Sequence, residues 1–79
     1  MEKNDNVDLQ RIGRRLQELR KAKGYSNYEY FAFEHSIPRA QYGRYEKGQD
    51  MRLSSFFKVL RALEVTPVEF FSTGFEEEK

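Results

Sequence analysis

The chain has 79 residues, which suffice for one small domain with one hydrophobic core and are too few for two. It contains no cysteine, so disulfides and thiolate metal sites are excluded, and seven Phe and five Tyr must supply much of the packing. The net charge is +1, but residues 11–61 carry twelve Lys or Arg against five Asp or Glu, and the acidic excess lies at the two ends. A basic centre of this kind favours a polyanion as partner.

No stretch approaches the roughly 18 apolar residues of a membrane span, and residues 1–8 lack the basic and apolar regions of a signal peptide. We therefore expect a cytoplasmic protein that does not bind membranes. We further expect a flexible N-terminal segment over residues 1–7, one folded domain over residues 8–73 and an acidic tail over residues 74–79.

The first predicted helix covers residues 8–23 and ends before Gly24. Its apolar residues recur at helical spacing and form one stripe: Leu9, Ile12, Leu16 and Leu19. A second helix is predicted over residues 27–35. Ser26 and Glu29 have the spacing of a capping box, with Ser26 as the N-cap of this helix.

A third helix is predicted from Pro38 or Arg39 to about Lys47. Tyr42 and Tyr45 lie on its inward side, and Gly48 follows its end.

Two further helices are predicted in the last third of the chain. Ser54 is the expected N-cap of the fourth helix, which covers residues 55–63. Its inward residues are apolar: Phe56, Phe57, Leu60 and Leu63. Thr66 and Glu69 form a second capping box around Pro67 and open a short fifth helix that ends near Phe71. Since no segment alternates with the period of a strand, the fold class is all-α.

Several short motifs occur in the order and spacing of one known family. In chain order they are Ile12-Gly13, Leu19-Arg20-Lys21, Phe31-Ala32, Ser36-Ile37, Tyr42, Tyr45-Glu46-Lys47-Gly48, Ala62-Leu63-Glu64-Val65 and Val68-Glu69-Phe70-Phe71. Residues 12–71 therefore resemble the XRE/Cro class of phage-repressor-like domains. The resemblance implies a compact, lambda-repressor-like five-helix bundle with a helix-turn-helix at helices 2 and 3. It also implies a small transcriptional regulator, in the first place a repressor, that binds double-stranded DNA as a homodimer.

Three positions depart from the family pattern. Ser36 replaces the glycine that is usual in the turn, and Pro38 stands where a capping Ser or Thr is common. Gly43 lies inside the third helix, where it should destabilise by about 1 kcal/mol relative to Ala. Gly43 either permits close approach to the duplex or is tolerated without a role.

The resemblance places the third helix in the major groove. Its candidate base-reading residues are Arg39, Ala40, Gln41, Gly43 and Arg44. Arginine pairs with guanine, glutamine pairs with adenine, and an alanine methyl group contacts the methyl group of thymine. Arg39, Gln41 and Arg44 are accordingly the preferred readers.

Contacts to the DNA backbone are expected from the start of helix 2 and from the far side of the groove. The candidate phosphate-binding residues are Ser26, Asn27, Lys47, Arg52 and Ser54. Tyr28 and Tyr30 have hydroxyls that could reach phosphate, but tyrosines in such positions are more often at the edge of a core. The resemblance further implies a partly buried ion pair of Arg20 with Glu46, which has a structural role.

Phe70, Phe71 and Phe75 are candidate dimer contacts, although they could equally cover the core. We expect no catalytic residue, no cofactor and no metal. His35 is the only histidine and has no ligand set around it, so we interpret it as a residue that packs in the turn.

A protein-interaction module or an antitoxin-like partner is the alternative function. Its motivation is the density of aromatic residues near helix 2: Tyr25, Tyr28, Tyr30, Phe31 and Phe33.

Overall fold

The computed structural model describes residues 2–76, with side chains from Val7 onward. This part of the chain forms five helices: α1 (Glu2–Ala22), α2 (Tyr28–Glu34), α3 (Arg39–Glu46), α4 (Leu53–Leu63) and α5 (Pro67–Phe70). The predicted all-α fold with five helices is confirmed, and between residues 2 and 76 no strand occurs.

α1 begins at Glu2 and not at Asp8, so the predicted boundary at residue 8 is not a helix boundary. The physical reason is that residues 2–7 contain neither proline nor glycine, and nothing in the backbone stops the helix there. The mobility of residues 1–7 and the extent of the acidic tail stay predictions; Met1 and residues 77–79 lie outside the described part.

The N-cap of α2 is Asn27, and the predicted capping box with Ser26 is wrong. The Asn27 Oδ1 atom accepts hydrogen bonds from the backbone N–H groups of Glu29 at 2.7 Å and Tyr30 at 3.1 Å. Asparagine caps a helix as well as serine does, and Asn27 directly precedes the first helical residue. The second predicted capping box is confirmed, since Thr66 and Glu69 exchange both of its hydrogen bonds.

α4 differs from its prediction at the start and on its inner side. It begins at Leu53 after Arg52, and no side chain caps it, so Ser54 lies inside the first turn. The buried residues of α4 follow the i, i+3, i+4, i+7 rule: Phe56, Val59, Leu60 and Leu63. The prediction that Phe57 points inward is wrong: this residue lies at the margin of the buried face and is 41% exposed.

The centre of the core joins four helices. Its completely buried side chains are Leu16 from α1, Phe31 and Ala32 from α2, Tyr42 from α3 and Phe70 from α5. Aromatic rings dominate: Phe31 contacts Tyr42 with ring centroids 5.2 Å apart. The sequence therefore builds its small core from few large side chains, as its composition predicted.

α1 crosses α3 with backbone against backbone at Gly13. A Cβ atom at this position would lie 2.6 Å from the carbonyl oxygen of Glu46 and 2.9 Å from that of Tyr45. Only glycine permits this approach, which fixes the distance between the two helices.

Candidate nucleic-acid interface

The turn between α2 and α3 contains a residue in the left-handed backbone region. Ser36 has φ +59°, and the next residue, Ile37, is buried and donates its backbone N–H to the carbonyl of Ala32 at 2.8 Å. This hydrogen bond closes the end of α2. The carbonyl of Ser36 accepts a hydrogen bond from Lys58 of α4 at 3.3 Å, a contact for which the sequence pattern gave no signal. The turn therefore sends the chain into α3 in a fixed direction.

A buried ion pair holds the inner side of α3. Arg20 donates two hydrogen bonds to the Glu46 carboxylate, from Nε at 2.8 Å and from Nη2 at 3.0 Å, and a third from Nη1 to the carbonyl of Tyr25 at 2.7 Å. Arg20 is 3% exposed. The Glu46 carboxylate raises the pKa of Arg20 above its usual value. The end of α3 is thereby tied to α1 and to the loop before α2.

The Tyr42 hydroxyl is buried near this pair and has no hydrogen-bond partner among the described residues. Burial raises the pKa of Tyr42, and the neighbouring carboxylate of Glu46 adds to the effect. The Tyr42 side chain is therefore uncharged, and the side of α3 on which it lies is closed to solvent.

The outer side of α3 is a basic stripe, defined here as Ala40, Arg44 and Lys47. These residues are exposed and stand at i, i+4 and i+7, so they lie along one line of the helix. Arg39 is exposed in the first turn. Within residues 7–76, no acidic side chain pairs with Arg39, Arg44 or Lys47. The stripe therefore offers uncompensated positive charge to a ligand.

Gly43 does not belong to this exposed surface, contrary to its prediction as a base-reading residue. It is buried, because the ring of Tyr28 from α2 lies against it. A Cβ atom on residue 43 would lie 2.8 Å from Cε1 of this ring. Gly43 thus serves close packing of α2 on α3 and has no side chain to offer to DNA.

Gln41 lies at the margin of the basic stripe and is half-buried. Its Nε2 atom donates a hydrogen bond to the hydroxyl of Tyr45 on the next turn. Gln41 also lines a small cavity of about 140 Å³ between α3 and α4, together with Pro38 and Lys58. To read a base, Gln41 would have to turn away from this cavity.

The predicted phosphate-binding residues are all exposed: Ser26, Asn27, Lys47, Arg52 and Ser54. Asn27 and Arg39 line one shallow groove, together with Glu29, Tyr30 and Phe33, so the starts of α2 and α3 lie side by side. Arg52 precedes α4 and lines a separate depression with Asp50 and Met51. Two groups of polar residues thus lie apart on the surface, one before α2 and one before α4.

The phenylalanines predicted as dimer contacts divide into two kinds. Phe70 is completely buried in the core, so its prediction as a dimer contact is wrong for the folded monomer. Phe71 is 44% exposed and Phe75 is half-buried. Val68 and Phe57, which the sequence pattern does not mark as dimer contacts, are 81% and 41% exposed. Val68 of α5 and Phe71, the C-cap of this helix, stand at i and i+3 and therefore lie on the same side.

His35 packs in the turn, where its ring contacts that of Phe31 with centroids 4.5 Å apart and its Nδ1 atom lies 2.9 Å from the Phe31 carbonyl.

The side chains of residues 7–76 include no cluster of His, Asp or Glu that could hold a metal ion. Of the helices described, none is both long and apolar enough to cross a membrane.

Comparison with known proteins identifies the class to which this geometry belongs. A sequence profile of the helix-turn-helix family matches residues 16–70, which include α2, α3 and the turn between them. The chain belongs to the helix-turn-helix family and is a small DNA-binding transcriptional regulator. Among curated proteins, none matches the sequence.

One similar solved structure is that of the restriction-modification controller protein C.AhdI from Aeromonas hydrophila. The two chains are 38% identical and superpose with a TM-score of 0.72, over 81% of this chain and 97% of C.AhdI. The similarity thus covers nearly the whole of that protein.

Proposed function

We propose that α3 enters the major groove of double-stranded DNA and that Arg39, Ala40 and Arg44 read the bases. The observation that carries the proposal is the basic stripe, which is exposed and unpaired on the helix that follows the turn. An arginine can donate two hydrogen bonds to a guanine edge, and Ala40 can contact a thymine methyl group. Gln41 is a weaker candidate because its amide already bonds to Tyr45.

The backbone contacts come from both sides of α3. Asn27 and Ser26 approach one phosphate strand at the start of α2, while Lys47, Arg52 and Ser54 approach the other. Their exposure supports this role. Contacts of this kind set the register of the protein on DNA and make its affinity depend on salt.

The proposed regulator is a homodimer that uses an apolar patch on α4, α5 and the segment after α5, defined here as Phe57, Val68, Phe71 and Phe75. Phe57 and Phe71 both pack against Phe56, with ring centroids 5.7 Å and 5.9 Å apart, so they belong to one surface. Large exposed apolar side chains in one patch are typical of interaction sites. Two such subunits read half-sites about 34 Å apart, one turn of the duplex.

We further infer that the dimer acts as a repressor, the role that the resemblance of residues 12–71 to phage-repressor-like domains implies. The similarity to the controller protein C.AhdI makes restriction-modification genes the favoured class of target.

The test of base reading compares two neighbouring cations of the basic stripe. Duplexes selected from random DNA give the operator, and fluorescence anisotropy then measures the affinity for every single-base-pair variant. Arg44→Ala is expected to weaken operator binding by about 1–3 kcal/mol and to abolish the preference at one base pair. Lys47→Ala is expected to weaken binding equally at all variants and to reduce its salt dependence. If Arg44→Ala lowers the affinity equally for all base-pair variants, Arg44 does not read a base.

The test of the dimer uses Val68→Ser, since this side chain is 81% exposed and its loss leaves the core intact. Sedimentation equilibrium should show a dissociation constant raised at least about tenfold, as for a residue at an interface centre. Phe33→Ser, on α2 and 71% exposed, is the matched control. An unchanged dimer in Val68→Ser, or a dimer lost in Phe33→Ser, would contradict this patch.

A protein-interaction function is the second candidate. It is favoured by the exposure of Tyr30 and Phe33, which are 54% and 71% accessible on the outer side of α2. Tyr30 is held in place because its hydroxyl donates to Glu34 at 2.8 Å. The double variant Tyr30→Ser, Phe33→Ser separates the two functions: if it retains operator affinity but loses regulation in cells, a protein partner docks on α2.

A further inference from the structure

The side chain of Tyr28 fills the space that a side chain at residue 43 of α3 would need. A Cβ atom on Gly43 would lie 2.8 Å from Cε1, 2.9 Å from Cζ and 2.9 Å from the hydroxyl oxygen of Tyr28. Distances this short are incompatible with ordinary packing, so the phenol edge and a side chain at residue 43 exclude each other. α2 therefore supplies the chemical group that α3 lacks at this position.

The hydroxyl of Tyr28 is also the one that the fold leaves available. The other four tyrosine hydroxyls are bonded to side chains or buried, in the pairs Tyr25–Glu34, Tyr30–Glu34 and Gln41–Tyr45 and at Tyr42. The Tyr28 side chain is half-buried, and its hydroxyl neither bonds to another described residue nor is sealed from water. The ring packs against Tyr42 and Gly43, so the hydroxyl lies beside α3.

The Tyr28 hydroxyl lies beside a row of α3 residues that includes two cations. Gly43 is four residues from both Arg39 and Lys47, so the three residues stand in one row along the helix. Both flanking cations are exposed. A hydroxyl beside this row is suited to an electron-rich acceptor, because a hydrogen bond to an ionised or strongly polar oxygen is stronger than a neutral one.

We propose that Tyr28 is a DNA-contacting residue whose hydroxyl donates a hydrogen bond to an acceptor on the duplex, at the place that residue 43 of α3 would otherwise serve. The proposal rests on the proposed insertion of α3 into the major groove. The acceptor is a phosphate oxygen or an acceptor atom of a base edge, which present the same chemistry to a phenol. Gly43 gains a role from this, since it makes room for Tyr28.

Tyr28→Phe tests the proposal because it removes the hydroxyl and keeps the ring on Gly43. With the selected operator, this variant should bind about tenfold more weakly than the wild type. Its thermal midpoint should not change, since the hydroxyl has no partner in the protein. Tyr30→Phe is the matched control on the same helix, and its affinity should equal that of the wild type.

The operator variants identify the acceptor. If Tyr28→Phe loses the same affinity for every base-pair variant, the Tyr28 hydroxyl donates to a phosphate oxygen. If the loss of affinity disappears when one base pair is changed, the hydroxyl donates to that base. Tyr28→Phe with wild-type affinity overturns the inference alone. Failure of the wild type to bind any duplex overturns the proposed function and the inference with it.

A second pair of variants tests whether the two positions can exchange the hydroxyl. Once Tyr28→Ala has removed the ring, residue 43 has room for a side chain. Tyr28→Ala combined with Gly43→Ser returns a hydroxyl from α3 itself, and it should bind operator more tightly than Tyr28→Ala combined with Gly43→Ala. Equal affinities of the two double variants would contradict the proposal.

Discussion

α3, the helix that carries the basic stripe, is held on two sides by contacts of different character. On the α1 side, the backbone of Gly13 lies directly against the end of α3, and the buried pair of Arg20 with Glu46 locks the same end. On the α2 side, the ring of Tyr28 covers Gly43, and the turn at Ser36 connects the helices. Backbone atoms cannot yield on the α1 side, whereas a ring can rotate on the α2 side.

This difference separates two tasks. The α1 contact fixes where α3 lies relative to the core, and therefore which of its residues face outward. The α2 contact determines what the surface offers, since Tyr28 adds a hydroxyl from outside the helix. Changes on the α1 side should accordingly alter stability first, and changes on the α2 side should alter DNA binding first.

Removing Glu46 should have the largest effect. Glu46→Ala leaves the Arg20 guanidinium buried without its partner, which should lower the free energy of unfolding by about 3–5 kcal/mol. Lys47→Ala, one residue away and exposed, should change it by less than about 0.5 kcal/mol. Urea unfolding followed by circular dichroism measures both, and equal midpoints for the two variants would refute a structural role of the pair.

A methyl group added to Gly13 should have the next largest effect. Gly13→Ala places a Cβ atom 2.6 Å from the Glu46 carbonyl oxygen, so α1 and α3 must separate, and overpacking of this kind costs about 1–3 kcal/mol. In Gly43→Ala the new Cβ atom meets only the end of the Tyr28 ring. The better helix propensity of alanine offsets up to about 1 kcal/mol of the destabilisation that this contact causes. Thermal unfolding should rank Gly13→Ala below Gly43→Ala; the reverse order would show that the α2 side is the rigid one.

Much of this architecture could be predicted from the sequence because it depends on local signals. The stripe of α1 around Leu16, the buried Tyr42 and Tyr45, and the capping box at Thr66 are properties of spacing within single helices. The predicted helix starts are wrong where neighbouring residues compete for the first positions of a helix. Asn27 prevailed over Ser26 as N-cap, and α4 begins at Leu53, ahead of the predicted cap at Ser54.

The contacts that define the candidate site depend on pairs of residues from different helices, which spacing does not reveal. Nothing in the local sequence marks Tyr28 as the neighbour of Gly43, so spacing alone places the glycine on the exposed surface. The same holds for Phe70, whose burial depends on how α5 packs back on the core. Arg15 of α1 contributes to that packing, since its guanidinium donates to the carbonyl groups of Glu69 at 2.8 Å and Phe70 at 2.7 Å.

The smallest effect is expected at Ser36, which has φ +59° although it is not glycine. The left-handed conformation destabilises the folded state by about 1–2 kcal/mol when the residue has a Cβ atom, and glycine removes this cost. Glycine also destabilises the folded state by about 0.4–1 kcal/mol, because it gives the unfolded chain more freedom. Ser36→Gly should therefore raise the free energy of unfolding by about 0.5–1 kcal/mol, measured by urea unfolding. Glu64→Gly, at the other described non-glycine residue with positive φ, should gain less, because it also removes the ion pair of Glu64 with Lys23 at 2.7 Å.

Operator affinity should not change in Ser36→Gly, because the substitution keeps the backbone path and the carbonyl that Lys58 contacts. A variant that is more stable and binds DNA equally well would show that the turn only delivers α3 to its position. A more stable variant with weaker binding would instead assign a contact to the Ser36 hydroxyl, and the α2 side would then contribute two hydroxyl groups to the DNA-binding surface rather than the single one of Tyr28.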